Sequence, residues 1–167
     1  LVWTADLGYN DQGQLLGYQQ SEDFWRSQNR SSRSASQSVT WRADLSDAYT
    51  SRGDLAHYSS LTKRHVYVEA GTESTETNQE RSQSIFFTDG RPLGYRERTH
   101  TLGTDAQGAP VADRVSTVVR SGISYYTAAD MTADPSHRQG MQSAYQELLL
   151  GNDAAEQVRS KPAHGQR

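Results

Sequence analysis

The sequence predicts an all-β chain: repeated antiparallel hairpins in an extended meander, β-wrap or solenoid-like array, ended by a short C-terminal helix. Three observations predict it. Apolar and polar residues alternate along several stretches, one aromatic-glycine-tyrosine turn recurs three times, and only 34% of the 167 residues are hydrophobic. A chain this poor in apolar residues, with a mean hydropathy of −0.85, lacks the material for a thick two-sided core. It can still fold if each strand buries one face.

The repeat is read first, because a missed period misassigns the whole fold. Tyr9-Asn-Asp-Gln-Gly13-Gln-Leu-Leu-Gly-Tyr18 is followed by Tyr49-Thr-Ser-Arg-Gly53-Asp-Leu-Ala-His-Tyr58 and by Phe86-Phe-Thr-Asp-Gly90-Arg-Pro-Leu-Gly-Tyr95. All three fit aromatic-x3-Gly-x4-Tyr without a gap, and their glycines lie 40 and 37 residues apart. Upstream, Trp3-Thr-Ala-Asp-Leu7 recurs as Trp41-Arg-Ala-Asp-Leu45. A fourth, decayed copy starts near Arg120, with Tyr125 at the aromatic position and no Gly-x4-Tyr after it.

Each element follows from local chemistry. Leu1, Trp3, Ala5, Leu7 and Tyr9 alternate with Val2, Thr4, Asp6 and Gly8, the period of a half-buried strand. Asn10 to Gly13 is a turn, with glycine able to take positive φ. Leu16, Tyr18, Phe24 and Trp25 mark the returning strand. The second unit enters through Val39 and Trp41 and leaves through Leu55, Tyr58, Leu61, Val66 and Val68; the extra pair Asp47-Ala48 suits a bulge. The third is weaker on entry, and Pro92 marks an edge or the turn itself. Three polar connectors, Ser27 to Ser38, Glu69 to Ser84 and Gly103 to Arg114, read either as loops opposite the glycine turns or as two-sided polar ribbons.

These readings divide residues 1–130 into a hairpin array with units near 1–38, 39–78, 79–114 and 115–130. Asp134 then caps a helix with Pro135 at its first position, and Met141, Tyr145, Leu148 and Leu149 recur at helical spacing. The helix, or cap, is expected over 134–151, and a flexible tail over 152–167. Leu1 already lies within a strand pattern and no Met opens the chain, which reads as a fragment or processed piece.

Composition excludes several classes. There is no cysteine, hence no disulfide, Cys-ligated metal or thiol nucleophile. No run approaches the roughly 20 apolar residues of a membrane span. A net charge of −3 gives no nucleic-acid footprint. The histidines are scattered, and Asp11, Asp89 and Asp105 read as turn formers beside glycine. No catalytic residue, metal ligand or cofactor-binding motif is expected, and the chain is read as not an enzyme.

The string Tyr9-Asn-Asp-Gln-Gly-Gln-Leu15 resembles the tyrosine-aspartate (YD) repeat of bacterial Rhs proteins and related secreted toxins, roughly Tyr-Asp-x-x-Gly-Arg-Leu. Here the second position is Asn10, Thr50 and Phe87, and the Arg position is Gln14, Asp54 and Arg91. It is more similar to the Tyr-Asn-x-x-Gly-Gln-Leu-x-Gly-Tyr repeats of very large bacterial surface proteins of the filamentous-haemagglutinin type. The resemblance implies an extracellular or cell-surface β-rich architecture used for display, adhesion or enclosing a toxic payload.

The functional expectation is structural: a spacer, shell or filament-forming stretch that associates with itself or with neighbouring repeats. Tyr9, Gly13, Tyr18, Tyr49, Gly53, Tyr58, Phe86, Gly90 and Tyr95 are its turn and aromatic positions. An adhesin-type module is the rival, binding glycan or a host receptor through hairpin tips and aromatics. It would use Trp3, Trp41 and the Arg52-Gly53-Asp54 tripeptide, the arrangement that presents a cation and a carboxylate to an integrin. Since the repeat already demands Gly53, the structural reading of that tripeptide comes first. The second alternative is a toxin-associated encapsulating shell.

Overall fold

A computed structural model describes residues 2–28, 31–127, 129, 141–151 and 157–161. Among the described residues nine strands form one antiparallel sheet in which spatial order equals chain order. They are β1 (Val2–Tyr9), β2 (Leu15–Gln28), β3 (Ser31–Arg42), β4 (Tyr58–Val68), β5 (Gly71–Phe86), β6 (Pro92–Thr104), β7 (Pro110–Tyr125), β8 (Gln142–Gly151) and β9 (Gln157–Lys161). The all-β repeated-hairpin class is therefore what the chain adopts.

Among the described residues the sheet has no second layer. Each strand touches only its neighbours in sequence. Among the described residues the buried apolar side chains are Ala43, Ala48, Ile123 and Tyr126. The chain exposes 11691 Å², against about 8,200 Å² for a compact monomer of its mass. Low apolar content and a thin sheet are thus one fact. With little to bury, the chain invests in backbone pairing and cross-strand contacts.

Among the described residues the first two polar connectors are strand, apart from the Glu69-Ala70 turn. Ser34 to Ser38 pairs with β2 and β4, and β4 joins β5 through Glu69-Ala70 alone, in unbroken register from Tyr58↔Arg81 to Val68↔Gly71. Of the two readings of these segments, the two-sided ribbon is the one formed. The third connector folds around Asp105 to Ala109 between β6 and β7.

Four turns share one geometry. Asn10, Thr50, Phe87 and Asp105 each donate a backbone N–H to the carbonyl four residues on, at 2.9–3.0 Å, and accept from the N–H of the glycine three residues on. Those glycines, Gly13, Gly53, Gly90 and Gly108, have φ between 76° and 91°, where a Cβ is strained. The first residue closes the turn. Asn10 Oδ1 accepts from the N–H groups of Gln12 and Gln14, Thr50 Oγ1 from Arg52 and Asp54, and Asp105 Oδ1 from Gln107 and Ala109. This is why a turn of this geometry takes Asn, Thr or Asp at its first position. Phe87 cannot cap, and Asp89 Oδ1 accepts the Arg91 N–H instead.

Three expectations need correction. The helix expected over 134–151 is not present across 142–151, which is strand β8, paired with β7 from Ser116↔Gly151 to Tyr125↔Gln142; residues 134–140 lie outside the described residues. Tyr145, Leu148 and Leu149 satisfy a helical period and a strand alike, and the open edge of β7 decides. Ser143 and Glu147 face the β7 side chains Ser124 and Arg120. Within the expected tail, Gln157–Lys161 is strand β9. The Asp47-Ala48 insertion does not make a bulge in a continuing strand. β3 stops at Arg42, and residues 43–57 form an arm, folded back by the N–H groups of Ala56 and His57 on the Ala48 carbonyl.

Bulges do recur elsewhere. The β5–β6 register shifts between Ser82 and Ile85, and the β7–β8 register between Ser121 and Ser124. Each shift contains a left-handed residue two positions after an arginine: Gln83 at φ 52° and Gly122 at φ 60°. Glycine takes this conformation freely, whereas a side chain costs about 1 kcal/mol. Gln83→Gly is expected to raise unfolding free energy by about 0.5–1 kcal/mol, and Gly122→Ala to lower it by about 1 kcal/mol, in urea denaturation.

Candidate functional site: a cross-strand ladder and its stapled turns

Residues opposite one another in a sheet share a face, so the register defines a row. Tyr18 stands opposite Trp41, Tyr58 opposite Arg81, and Tyr95 opposite Arg120. Diagonal contacts link these pairs. The Tyr18 and Trp41 rings stack at 5.8 Å, and Trp41 meets Tyr58 at 5.9 Å. The Arg81 guanidinium lies 5.4 Å from the Tyr58 ring and 4.0 Å from the Tyr95 ring. Arg120 lies 5.6 Å from Tyr95 and 4.3 Å from Tyr145. Seven residues on seven consecutive strands, β2 to β8, thus form one ladder: Tyr18, Trp41, Tyr58, Arg81, Tyr95, Arg120, Tyr145.

Carboxylates complete the cation rungs. Glu97 stands opposite Arg81 and accepts from its Nη2 at 2.8 Å and its Nε at 3.3 Å. Glu147 stands opposite Arg120 and accepts from its Nε and Nη2. Each arginine thus lies between two tyrosine rings and pairs with a glutamate two residues beyond the second ring. Glu147 is 8% exposed, and Arg120 is its ion-pair partner. Gly17 and Gly94 precede the ladder tyrosines because a Cβ there would lie 2.9 Å from the carbonyl oxygens of Trp41 and Arg120.

The turns form a second set of repeat contacts. Tyr49 Oη donates to the Leu15 carbonyl at 2.5 Å, and Tyr125 Oη to the Pro92 carbonyl at 2.8 Å. In both cases the turn aromatic of one unit staples the second residue after the glycine of the unit before. Phe86 holds the same place and has no hydroxyl. Tyr9 is 58% exposed. Arg91 adds a cation over the Tyr125 ring at 4.6 Å, and Phe87 packs edge-on against Tyr125 at 6.2 Å. Phe87 thus exchanges its cap for a contact with the next unit.

Arg52 and Asp54 are engaged within these staples. Arg52 Nη2 donates to Asp54 Oδ2 at 3.1 Å and to the Phe87 carbonyl at 2.9 Å, while Asp54 also accepts from Thr50 Oγ1. The tripeptide points its cation and its carboxylate at each other and at the third turn. Trp41 is a rung of the ladder. Trp3 stands opposite Ser21, one position out of phase with the row, and Thr4 opposite Gln20 takes the phase of the ladder in β1. The Trp3–Trp41 sequence match is therefore not an equivalence in the sheet. His57, in the glycine position of the second unit, sets Nδ1 3.4 Å from Asp47 and Nε2 3.3 Å from Glu80. Beyond the ladder, Phe24, Ala35, Val66, Glu73 and Val111 line an open groove of about 890 Å³.

Sequence reasoning found the tyrosine rungs and missed Arg81, Arg120, Tyr145 and their glutamates. Two signals pointed to them: Arg81-Ser82 recurs 39 residues on as Arg120-Ser121, and Tyr95-x-Glu97 recurs as Tyr145-x-Glu147.

No family model, curated protein or solved structure matches this chain.

Two expectations follow from the ladder and staples. Arg120→Met leaves the Glu147 carboxylate buried without its partner and should cost about 3 kcal/mol. Lys63→Ala, which removes an exposed pair with Glu76 at 3.1 Å, should cost less than about 0.5 kcal/mol; chemical denaturation of both variants checks the contrast. Burial pushes the hydroxyls of Tyr49, Tyr58 and Tyr125 above the ordinary tyrosine range, at Tyr58 against the opposing pull of Arg81. The folded state thus holds these protons more tightly than the unfolded chain. Their contribution is complete below about pH 10 and is lost as pH rises through the raised values. Tyrosinate absorbance paired with urea midpoints between pH 9 and 12 should show this decline, reduced in Tyr49→Phe.

Proposed function

We propose that this chain is a structural segment: a hairpin-repeat sheet of a large secreted or cell-surface protein, serving as spacer, shell or self-associating scaffold rather than as a catalyst. The ladder carries the reading. The recurring residues, which in a binding module would face a ligand, are here committed to holding one strand to the next. The stapled turns support it too, because each hairpin tip leans on the tip before it.

The turn chemistry supports the likeness to tyrosine-aspartate repeats. A capping Asn or Thr, a left-handed glycine and a stapling tyrosine give each motif position a mechanical role. In this reading length is the functional variable. Each added hairpin contributes a rung, a staple and a fresh edge, as in other one-dimensional arrays. An adhesin reading would want a free cation and carboxylate at the second tip, whereas Arg52 and Asp54 bind each other.

Small-angle scattering with light scattering tests the proposal. Nine strands about 4.8 Å apart and up to roughly 50 Å long make a thin plate, with a radius of gyration near 19 Å by that geometry. A compact domain of this length would give about 15 Å. The plate value is the expected result. A compact, strictly monomeric particle would overturn it.

A further inference from the structure

The ladder obeys a rule of alternation with a consequence at the sheet's edge. Odd strands β5 and β7 carry a cation, and even strands β6 and β8 carry Tyr-x-Glu. Each cation is met on one side by a tyrosine directly opposite and on the other by a strand whose glutamate is directly opposite and whose tyrosine is diagonal. In β9 the register places Lys161 opposite Tyr145 and Arg159 opposite Glu147. Lys161 therefore holds the position that Arg81 holds opposite Tyr58 and Arg120 opposite Tyr95. Among the described residues β9 has a strand on one side only.

We propose that the outer edge of β9 is a docking edge for an extended segment bearing Tyr-x-Glu, added antiparallel with its glutamate opposite Lys161. This rests on the scaffold reading and adds the chemistry of the partner. Charge complementarity selects it: two cationic positions, Arg159 and Lys161, lie within one strand of five residues, and β6 and β8 answer such positions with a carboxylate and a ring. A second copy added by translation does not fit. Its β1 runs in the same direction as β9, would pair parallel, and carries Thr4 in the phase of the ladder. The edge therefore selects a tyrosine-type strand, by backbone pairing with side-chain pockets for specificity.

The test adds a fluorescent peptide of residues 92–104, the β6 strand, to the full chain and follows anisotropy. Saturable binding is expected, weakened at least tenfold by Tyr95→Ala or Glu97→Lys in the peptide and by Lys161→Glu in the chain. Pairing the Glu97→Lys peptide with the Lys161→Glu chain should restore it. Absence of saturable binding, or binding indifferent to these changes, overturns the proposal. If scattering still gives the thin plate, the docking edge alone falls and the scaffold reading stands; a compact particle overturns both.

Discussion

A sheet without a second layer must be held by what lies on its own faces. The rest of this structure depends on that constraint. Backbone ladders fix strands side by side, but polar strands paired only through the backbone are free to slip in register. The row from Tyr18 to Tyr145 supplies the missing specification. It crosses seven strands and alternates direct with diagonal neighbours, so a one-residue slip of any strand would move its rung to the opposite face.

The row also changes character along the chain. It begins as stacked rings at Tyr18, Trp41 and Tyr58 and continues as guanidinium between rings at Arg81 and Arg120. Both solutions bury flat surface against flat surface, and each contact is worth on the order of 0.5–1 kcal/mol. The arginine version adds a glutamate and with it directionality, because Arg81 and Glu97 fix the relative height of two strands through two donors. The turns repeat this economy at the sheet's end. A hydroxyl from Tyr49 or Tyr125 reaches back one unit, so neighbouring hairpins are tied at the tip as well as along the row.

Much of this was readable in the sequence, for physical reasons. A strand's period of two and a turn's need for positive φ are local properties, so the hairpins around Gly13, Gly53 and Gly90 could be placed without tertiary knowledge. The ladder could be read only in part. Tyr18, Tyr58 and Tyr95 recur as identical residues, whereas their shared partner position holds Trp41 in one case and Arg81 and Arg120 in the others, and that position is set by register. Trp3 and Trp41 mislead in the opposite sense, matching in letters while standing out of phase. Residues 142–151 were misread because Tyr145, Leu148 and Leu149 fit either period; the choice belongs to the open edge of β7, a tertiary fact. Arg52-Gly53-Asp54 reads as a receptor motif in one dimension, and in three its charges close on each other.

Native-state hydrogen exchange tests the central claim most directly, because it reads the stability of each strand along its own length. If the row holds the sheet, amide protection should peak where it crosses each strand, around Tyr18, Trp41, Tyr58, Arg81, Tyr95 and Arg120. It should fall toward the polar far ends near Ser34 and Glu73. Protection that is uniform along the strands, or greatest at those polar ends, would contradict the account.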